Sequence, residues 1–218
     1  LSPSGTSFLW RTPRGNTEIQ TSLIGIHNVY NILAAAGVAW DEGLAADQIK
    51  AGIERLRNVP GRLERVEAGQ AFTVLIDYAH TEDALKNVLT SIRQVRSGKI
   101  ILVFGCGGDR DRSKRPKMGQ VADALADFSI ITTDNPRSED PEAIAAEVLA
   151  GFRGTNVRTI LERKRAIRAA LAMAREKDVV LIAGKGHEDY QIFKDRTIPF
   201  DEKSIVLECL NGITSKDS

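Results

Sequence analysis

Cysteine is scarce in this sequence. Cys106 and Cys209 are too few and too far apart for a disulfide scaffold or a zinc site, and a reducing cytoplasm is the simplest compartment. Cys209 falls in the apolar stretch Ile205–Leu210 and is expected to be buried packing. An excess of charge of one sign is also missing. Thirty Lys and Arg against 29 Asp and Glu leave a formal net charge of +1, so no large positive field favours nucleic acid or a membrane surface. No apolar run approaches the roughly 20 residues that a membrane-spanning helix needs. No secretory signal is visible, although the chain opens on Leu1 and reads as trimmed. What is present, 42% hydrophobic and 27% charged residues, is the balance of a soluble globular protein. The 218 residues can hold one ordinary domain plus part of another.

The first 61 residues open with loop-like and short strand-like pieces, followed by helical patterns over Asn28–Ala39 and Ala46–Leu56. Two helices and short strands enclose little apolar surface, so this piece reads as the tail of a larger domain. From Arg62 the pattern changes. Apolar runs at Thr73–Ile76, Ile100–Phe104, Phe128–Thr132, Val157–Leu161 and Val179–Ala183 read as strands. Helical patterns alternate with them. One spans Thr81–Val95, with Thr81 as N-cap and Glu82 and Asp83 in the first turn. The others run over Pro116–Ala126, from Asp140-Pro141-Glu142, and over Arg163–Arg175. This alternation predicts an α/β fold with a mainly parallel sheet covered on both faces. Glu64–Val66 is expected to pair with Phe72–Leu75 across Ala68-Gly69-Gln70 as an antiparallel edge.

Polar or glycine-rich segments follow strand after strand: Asp77-Tyr78-Ala79-His80, Gly105-Cys106-Gly107-Gly108-Asp109-Arg110, Asp134-Asn135-Pro136-Arg137 and Gly184-Lys185-Gly186-His187-Glu188-Asp189. In an open α/β sheet ligands bind beyond the carboxyl ends of the strands, so parallel strands would gather all four on one rim. Each segment has a plain alternative. GCGGDRD is neither GxGxxG nor a phosphate loop; it is either a tight turn or an anion-facing loop carrying Arg110. The basic run Arg110–Lys117 reads as a solvated face as readily as a binding one, and Asp109 and Asp111 interrupt it. Arg137 offers a planar fork for a carboxylate, or makes a surface ion pair. Glu188 could hold an ammonium or be an exposed acid, and His187 and Glu188 lack metal-ligand spacing, so no metal site is expected there. Asn28 and Asn31 share one helical face; Asn28 could instead cap that helix. Asp77 could accept ribose hydroxyls or cap the helix near Thr81. The residues alone reach an α/β domain with a carboxylate-reading small-molecule site.

The stretches GIHNVYNILAA, VPGRLERV, DYAHTEDAL, FGCGGDRDRSKRPKMG, TTDNPRSEDP and AGKGHEDYQ, in this order along nearly the whole chain, resemble the Mur ligases, and among them the UDP-MurNAc-tripeptide synthetases. The resemblance implies that residues 1–61 finish a central ATPase domain and that residues 62–218 form a C-terminal Rossmann-like domain. It implies ATP contacts at Asn31, Arg62, Asp77 and His80. It implies contacts to diaminopimelate at Arg110, Asp134, Asn135, Pro136, Arg137, Gly184 and Glu188. DNPR is the motif of members that add diaminopimelate; lysine-adding relatives differ there. The implied substrates are meso-diaminopimelate, ATP and UDP-MurNAc-L-Ala-D-Glu, with Mg²⁺ held mainly by residues outside this chain, in a cytoplasmic monomer.

Departures from the family pattern set further expectations. A phosphate loop of the form GTNGKT, the Mg²⁺ ligands, the modified lysine and the UDP-binding domain are not in these residues, so the chain alone is expected neither to hydrolyse ATP nor to ligate. Ile26 stands where an arginine is common, and Glu82 where DYAHTP has proline, which puts details of the ATP contact in question. The lysine-adding variant, folylpolyglutamate synthase and a non-catalytic module derived from a ligase are the competing readings.

Overall fold

The computed structural model describes residues 5–214 of the chain. The chain divides between Val59 and Pro60 into two compact units. In the first, β1 (Thr6–Thr12) and β2 (Gly15–Thr21) form an antiparallel hairpin around Pro13-Arg14. Helices α1 (Ile26–Asp41) and α2 (Ala46–Arg55) follow. The core is small, as expected from so short a segment. It consists of Trp10, Ile19, Ala36 and Ile49, with Trp10 edge-on to Trp40 at 5.8 Å. Asn28 does not cap α1. The helix already begins at Ile26, and the buried Asn28 amide donates from Nδ2 to Ile24 O at 2.9 Å.

The second unit is an α/β domain with a mixed, mostly parallel sheet of six strands. They are β3 (Glu64–Val66), β4 (Thr73–Asp77), β5 (Ile100–Phe104), β6 (Phe128–Ile131), β7 (Val157–Thr159) and β8 (Val179–Ala183). Their spatial order is β3-β4-β8-β5-β6-β7, with only β3 antiparallel to its neighbour. Every residue of β5 and β8 is buried, which is why these strands read as unbroken β-branched runs rather than alternating ones.

Helices cover both faces. Val74, Ile76, Ile101, Val103, Ile130, Val180 and Ile182 pack with α6 (Arg163–Met173) and α7 (Glu202–Thr214). The residues of opposite phase, among them Leu75, Leu102, Phe104 and Leu181, are equally buried and face α3 (Glu82–Val95), α4 (Lys114–Leu125) and α5 (Pro141–Leu149). Parallel crossovers are right-handed, so the connections that run outward from β4 to β7 share one face. The return from β7 to β8 must use the other, where α6 lies.

The caps expected from sequence are present: Ala84 N donates to Thr81 Oγ1 at 3.3 Å, and Glu142 N to Asp140 Oδ1 at 3.1 Å with Pro141 at N1. Helix α4 starts two residues before Pro116, which sits in the first turn, where its missing N–H costs no hydrogen bond. A short hairpin, β9 (Tyr190–Ile192) with β10 (Thr197–Pro199), stands apart from the sheet. Among the described residues no helix is long and apolar enough to cross a membrane.

Candidate functional site

The register brings the strand ends level. Asp77 pairs with Ala183, Val103 with Ile182, and Phe104 with Ile131, so the loops after β4, β8, β5 and β6 leave at one rim. Tyr78 anchors the β4 end of that rim. Its half-buried ring meets the His80 ring at 4.6 Å and the His187 ring at 5.2 Å, and the exposed Arg62 guanidinium stands 5.1 Å from its centroid. Burial, followed by the nearby Glu188, pushes the Tyr78 hydroxyl above its ordinary value. Asp77 is not the cap of α3, since Thr81 takes that place. Its Oδ2 accepts from Leu63 N and its Oδ1 from Ala79 N, both at 2.8 Å, which ties the VPGR segment to the end of β4. Gly61 completes that tie, because any Cβ there would stand 2.4 Å from His187 N. Arg62, Asp77 and His80 thus share one corner. Asn31 lies in the first unit, on the exposed side of α1, with Nδ2 3.5 Å from Asn28 Oδ1.

The β5 and β6 loops are joined to each other. Gly108 N donates to Asn135 O at 2.9 Å, Asp109 N to Glu139 Oε1 at 2.6 Å, and Ser138 Oγ to Asp109 Oδ1 at 2.6 Å. Arg115 lies beneath, fully buried. Its Nη1 donates to Glu139 Oε2 at 2.9 Å and Glu147 Oε2 at 2.8 Å, and its Nη2 donates to Glu139 Oε1 at 2.7 Å. That guanidinium draws the Glu139 carboxyl down to about 2. Arg110–Lys117 is a largely solvated basic face, with Arg110, Arg112 and Lys117 exposed, and Arg115 is its one interior anchor. Burial pushes the Cys106 thiol in the same loop up to about 12.

Arg137 adopts a positive φ of 52° and donates from Nη1 to Gly108 O at 2.9 Å. Its Nε and Nη2 have no hydrogen-bond partner among the described residues. A Cβ built on Gly107 would lie 3.0 Å from Arg137 Nη1 and 3.9 Å from Arg110 Cγ, so both arginines flank one glycine. A cavity of about 370 Å³ opens beside Arg137, bounded by Phe193, Lys194 and Arg196 of the β9–β10 turn. A larger one of about 560 Å³, lined by Leu161, Phe200 and Ile205 among others, contains none of the expected site residues.

Asp134, Asn135 and Glu188 converge on one side chain, Lys185, which has no exposed surface. Its Nζ donates to Asn135 Oδ1 at 2.9 Å and Tyr190 O at 2.6 Å, and lies 3.5 Å from Glu188 Oε2. Asp134 Oδ1 is 3.2 Å from the same nitrogen but out of line for a hydrogen bond. Asn135 Nδ2 donates to Glu188 Oε2 at 3.0 Å. Pro136 is buried at the turn, and Gly184 N donates to Asp77 O at 3.0 Å.

The family model described as "Mur ligase, glutamate ligase domain" matches residues 61–186, more than half of the chain. The chain belongs to the Mur ligase family. It is similar to a protein of Solibacter usitatus named UDP-N-acetylmuramoyl-L-alanyl-D-glutamate--2,6-diaminopimelate ligase, 52% identical over 89% of this chain and 40% of the relative. A protein of that name from Bacillus velezensis is 49% identical over 99% of this chain and 44% of its own length. A solved structure, also titled as that ligase, superposes with a TM-score of 0.73 at 36% identity, covering 98% of this chain and 44% of the other. The chain thus spans less than half the length of these relatives.

Sequence reasoning missed three residues of this Mur ligase domain. Lys185 was visible only as part of GKGHED. Buried Arg163 reaches Glu202 Oε1, Ala183 O and Thr133 O behind the rim, and buried Arg115 looked like one member of a basic run. The only available signal was a cation beside apolar core positions, which is easily read as surface. Among the described residues no three His, Cys, Asp or Glu side chains cluster as a cation site.

Proposed function

We propose that this chain is the amino-acid-binding part of a ligase that uses ATP to join meso-diaminopimelate to UDP-MurNAc-L-Ala-D-Glu in the cytoplasm, for cell-wall synthesis. Residues 1–61 would be the end of the central ATPase domain and residues 62–218 the amino-acid domain. The carrying observation is the pairing of opposite chemistries on one rim. Arg137 keeps two donors without a partner among the described residues, and the Glu188 carboxylate is held by the Asn135 amide. Diaminopimelate ends in a second carboxylate and a second ammonium, and these groups match that pair. Lysine would leave Arg137 unpaired and bring a cation towards it. Loss of a buried charged partner costs about 2–5 kcal/mol, enough for tens to thousands of fold in discrimination.

In the reaction, a D-Glu carboxylate oxygen attacks the γ-phosphorus of ATP, ADP leaves and an acyl phosphate forms. The diaminopimelate amine then attacks the acyl carbon, phosphate leaves, and the amine's proton is lost as the amide forms. These residues bind and orient; they make no covalent bond. The corner formed by Arg62, Tyr78 and His80, with Asp77 behind it, offers ring faces and a cation that suit a nucleotide. Mg²⁺, which supplies charge neutralisation in phosphoryl transfer, is assigned to none of these side chains.

Ligation assays test the reading, with the full-length encoded protein and the 218-residue chain side by side. Only the full-length protein should form tripeptide, and diaminopimelate should exceed lysine at least a hundredfold in kcat/KM. Equal use of lysine, or ligation by the chain alone, would overturn it.

A further inference from the structure

Among the described residues, the Lys185 ammonium is one of three fully enclosed cations near the rim, with Arg115 and Arg163. A methionine would fill much the same volume without the cost of stripping water from a cation, so a buried ammonium needs a reason to be there. Its contacts come from two loops: Asp134 and Asn135 after β6, and, within its own stretch after β8, Glu188 and Tyr190 O.

The Asn135 amide shows what that arrangement achieves. Its Oδ1 accepts from Lys185 Nζ at 2.9 Å and from Ile192 N at 3.0 Å, and its Nδ2 donates to Glu188 Oε2 at 3.0 Å. An ammonium has donors only, so the amide must turn its oxygen towards Lys185 and its nitrogen towards Glu188. The opposite flip would set NH₂ against NH₃⁺ and a carbonyl oxygen against a carboxylate. Lys185 and the Ile192 N–H therefore fix together which way the amide points, and the amide fixes the carboxylate. Asn135 has its oxygen and one donor committed within the protein, so its part is to hold Glu188 in place.

We propose that Lys185 is a positioning residue for the amino-acid site, acting through the Asn135 amide to hold Glu188 where it receives the distal ammonium of the ligand. This rests on the amino-acid reading of the rim, and it adds a residue outside the ligand contacts that the resemblance implies. Two charged loops that would otherwise move separately become one unit through a single enclosed cation.

The test is calorimetric titration of the 218-residue chain with meso-diaminopimelate, with thermal melting alongside. Lys185→Met removes the ammonium. Asn135→Asp keeps an oxygen for Lys185 and Ile192 but cannot donate to Glu188, so it carries the test if Lys185→Met fails to fold. Each should weaken binding at least tenfold. In a Glu188→Gln background neither should weaken it by more than a further twofold, because both act through that carboxylate; a general loosening of the domain would instead multiply the losses. Wild-type-like affinity in either single variant, or fully multiplicative losses, would overturn the proposal. If the wild-type chain binds lysine but not diaminopimelate, the substrate reading falls, and the same variants titrated with lysine still decide the role of Lys185. If it binds neither, hydrogen exchange at the Ile192 amide decides. Relative to the Leu181 amide, it should quicken at least tenfold in Lys185→Met, and an unchanged rate would refute the link to Asn135.

Discussion

Arg163 donates from Nε to Glu202 Oε1 at 2.6 Å, and neither side chain has more than 2% of its surface exposed. The pair joins the start of α6 to the start of α7 directly behind the rim. Arg163 also reaches the carbonyls of Ala183 and Thr133, the last residue of β8 and a residue just past β6. Burial pushes the Glu202 carboxyl up, and Arg163 opposes that shift. Removing one partner alone leaves a charge stranded in the interior. Arg163→Met is expected to cost about 3–5 kcal/mol in denaturant unfolding, and Arg163→Met with Glu202→Leu to recover at least half of the loss. A double variant no better than the single one would mean that the charge pairing is not what matters.

Arg137→Ala in the full-length protein should raise KM for diaminopimelate far more than KM for ATP. The guanidinium stands by Gly107 and Gly108, on the side of the rim remote from the Arg62–Tyr78 corner in strand order. Steady-state kinetics with each substrate varied in turn would show the split. Equal effects on both constants would remove Arg137 from amino-acid reading.

The Glu139 carboxyl, drawn down to about 2 by its hydrogen bonds from Arg115, sets a pH window. A depressed carboxyl contributes stability that is complete above its ordinary value of 4.5 and is lost as the pH falls towards 2. The melting temperature of the chain should therefore exceed that of Glu139→Gln most at about pH 6, and the gap should close on acidification. A gap of constant size down to about pH 2.5 would contradict the assignment.

A methyl group at Gly108 would stand 1.9 Å from Pro136 O, so the β5 and β6 loops can touch only because that position has no side chain. Gly108→Ala should cost about 1–3 kcal/mol, the usual penalty for overpacking, and weaken diaminopimelate binding. Gly52, inside α2 with open space around it, is the control: Gly52→Ala should stabilise by about 0.5–1 kcal/mol. Melting curves of the two variants should move in opposite directions.

Much of this domain was legible in its residues. Each buried strand announces itself as a short β-branched run, and Ala68-Gly69-Gln70 marks the antiparallel turn of the six-stranded sheet correctly. Boundaries drifted by a residue or two where the ladder fades: Thr132 N still bonds Phe104 O beyond the last assigned residue of β6. Strand order was not legible. Nothing local in Val179–Ala183 says that it pairs with Thr73–Asp77 on one side and Ile100–Phe104 on the other. The rim was visible because polar segments follow four strands. What escaped was how its members divide between ligand and one another, because that depends on Lys185, Arg115 and Arg163, cations whose charged partners lie 3 to 51 residues away. The short hairpin β9–β10 and helix α7 carried too weak a pattern to read.

The position of β8 has a consequence for biosynthesis. It is made last among the sheet strands yet lies between β4 and β5, which have no direct pairing with each other. A nascent chain halted before residue 179 would expose two unpaired strand edges and lack the segment that carries Gly184, Lys185 and Glu188. The ribosome therefore releases no half-competent rim: the pocket closes only once translation has passed the middle strand, and prematurely ended products should meet proteases rather than ligand.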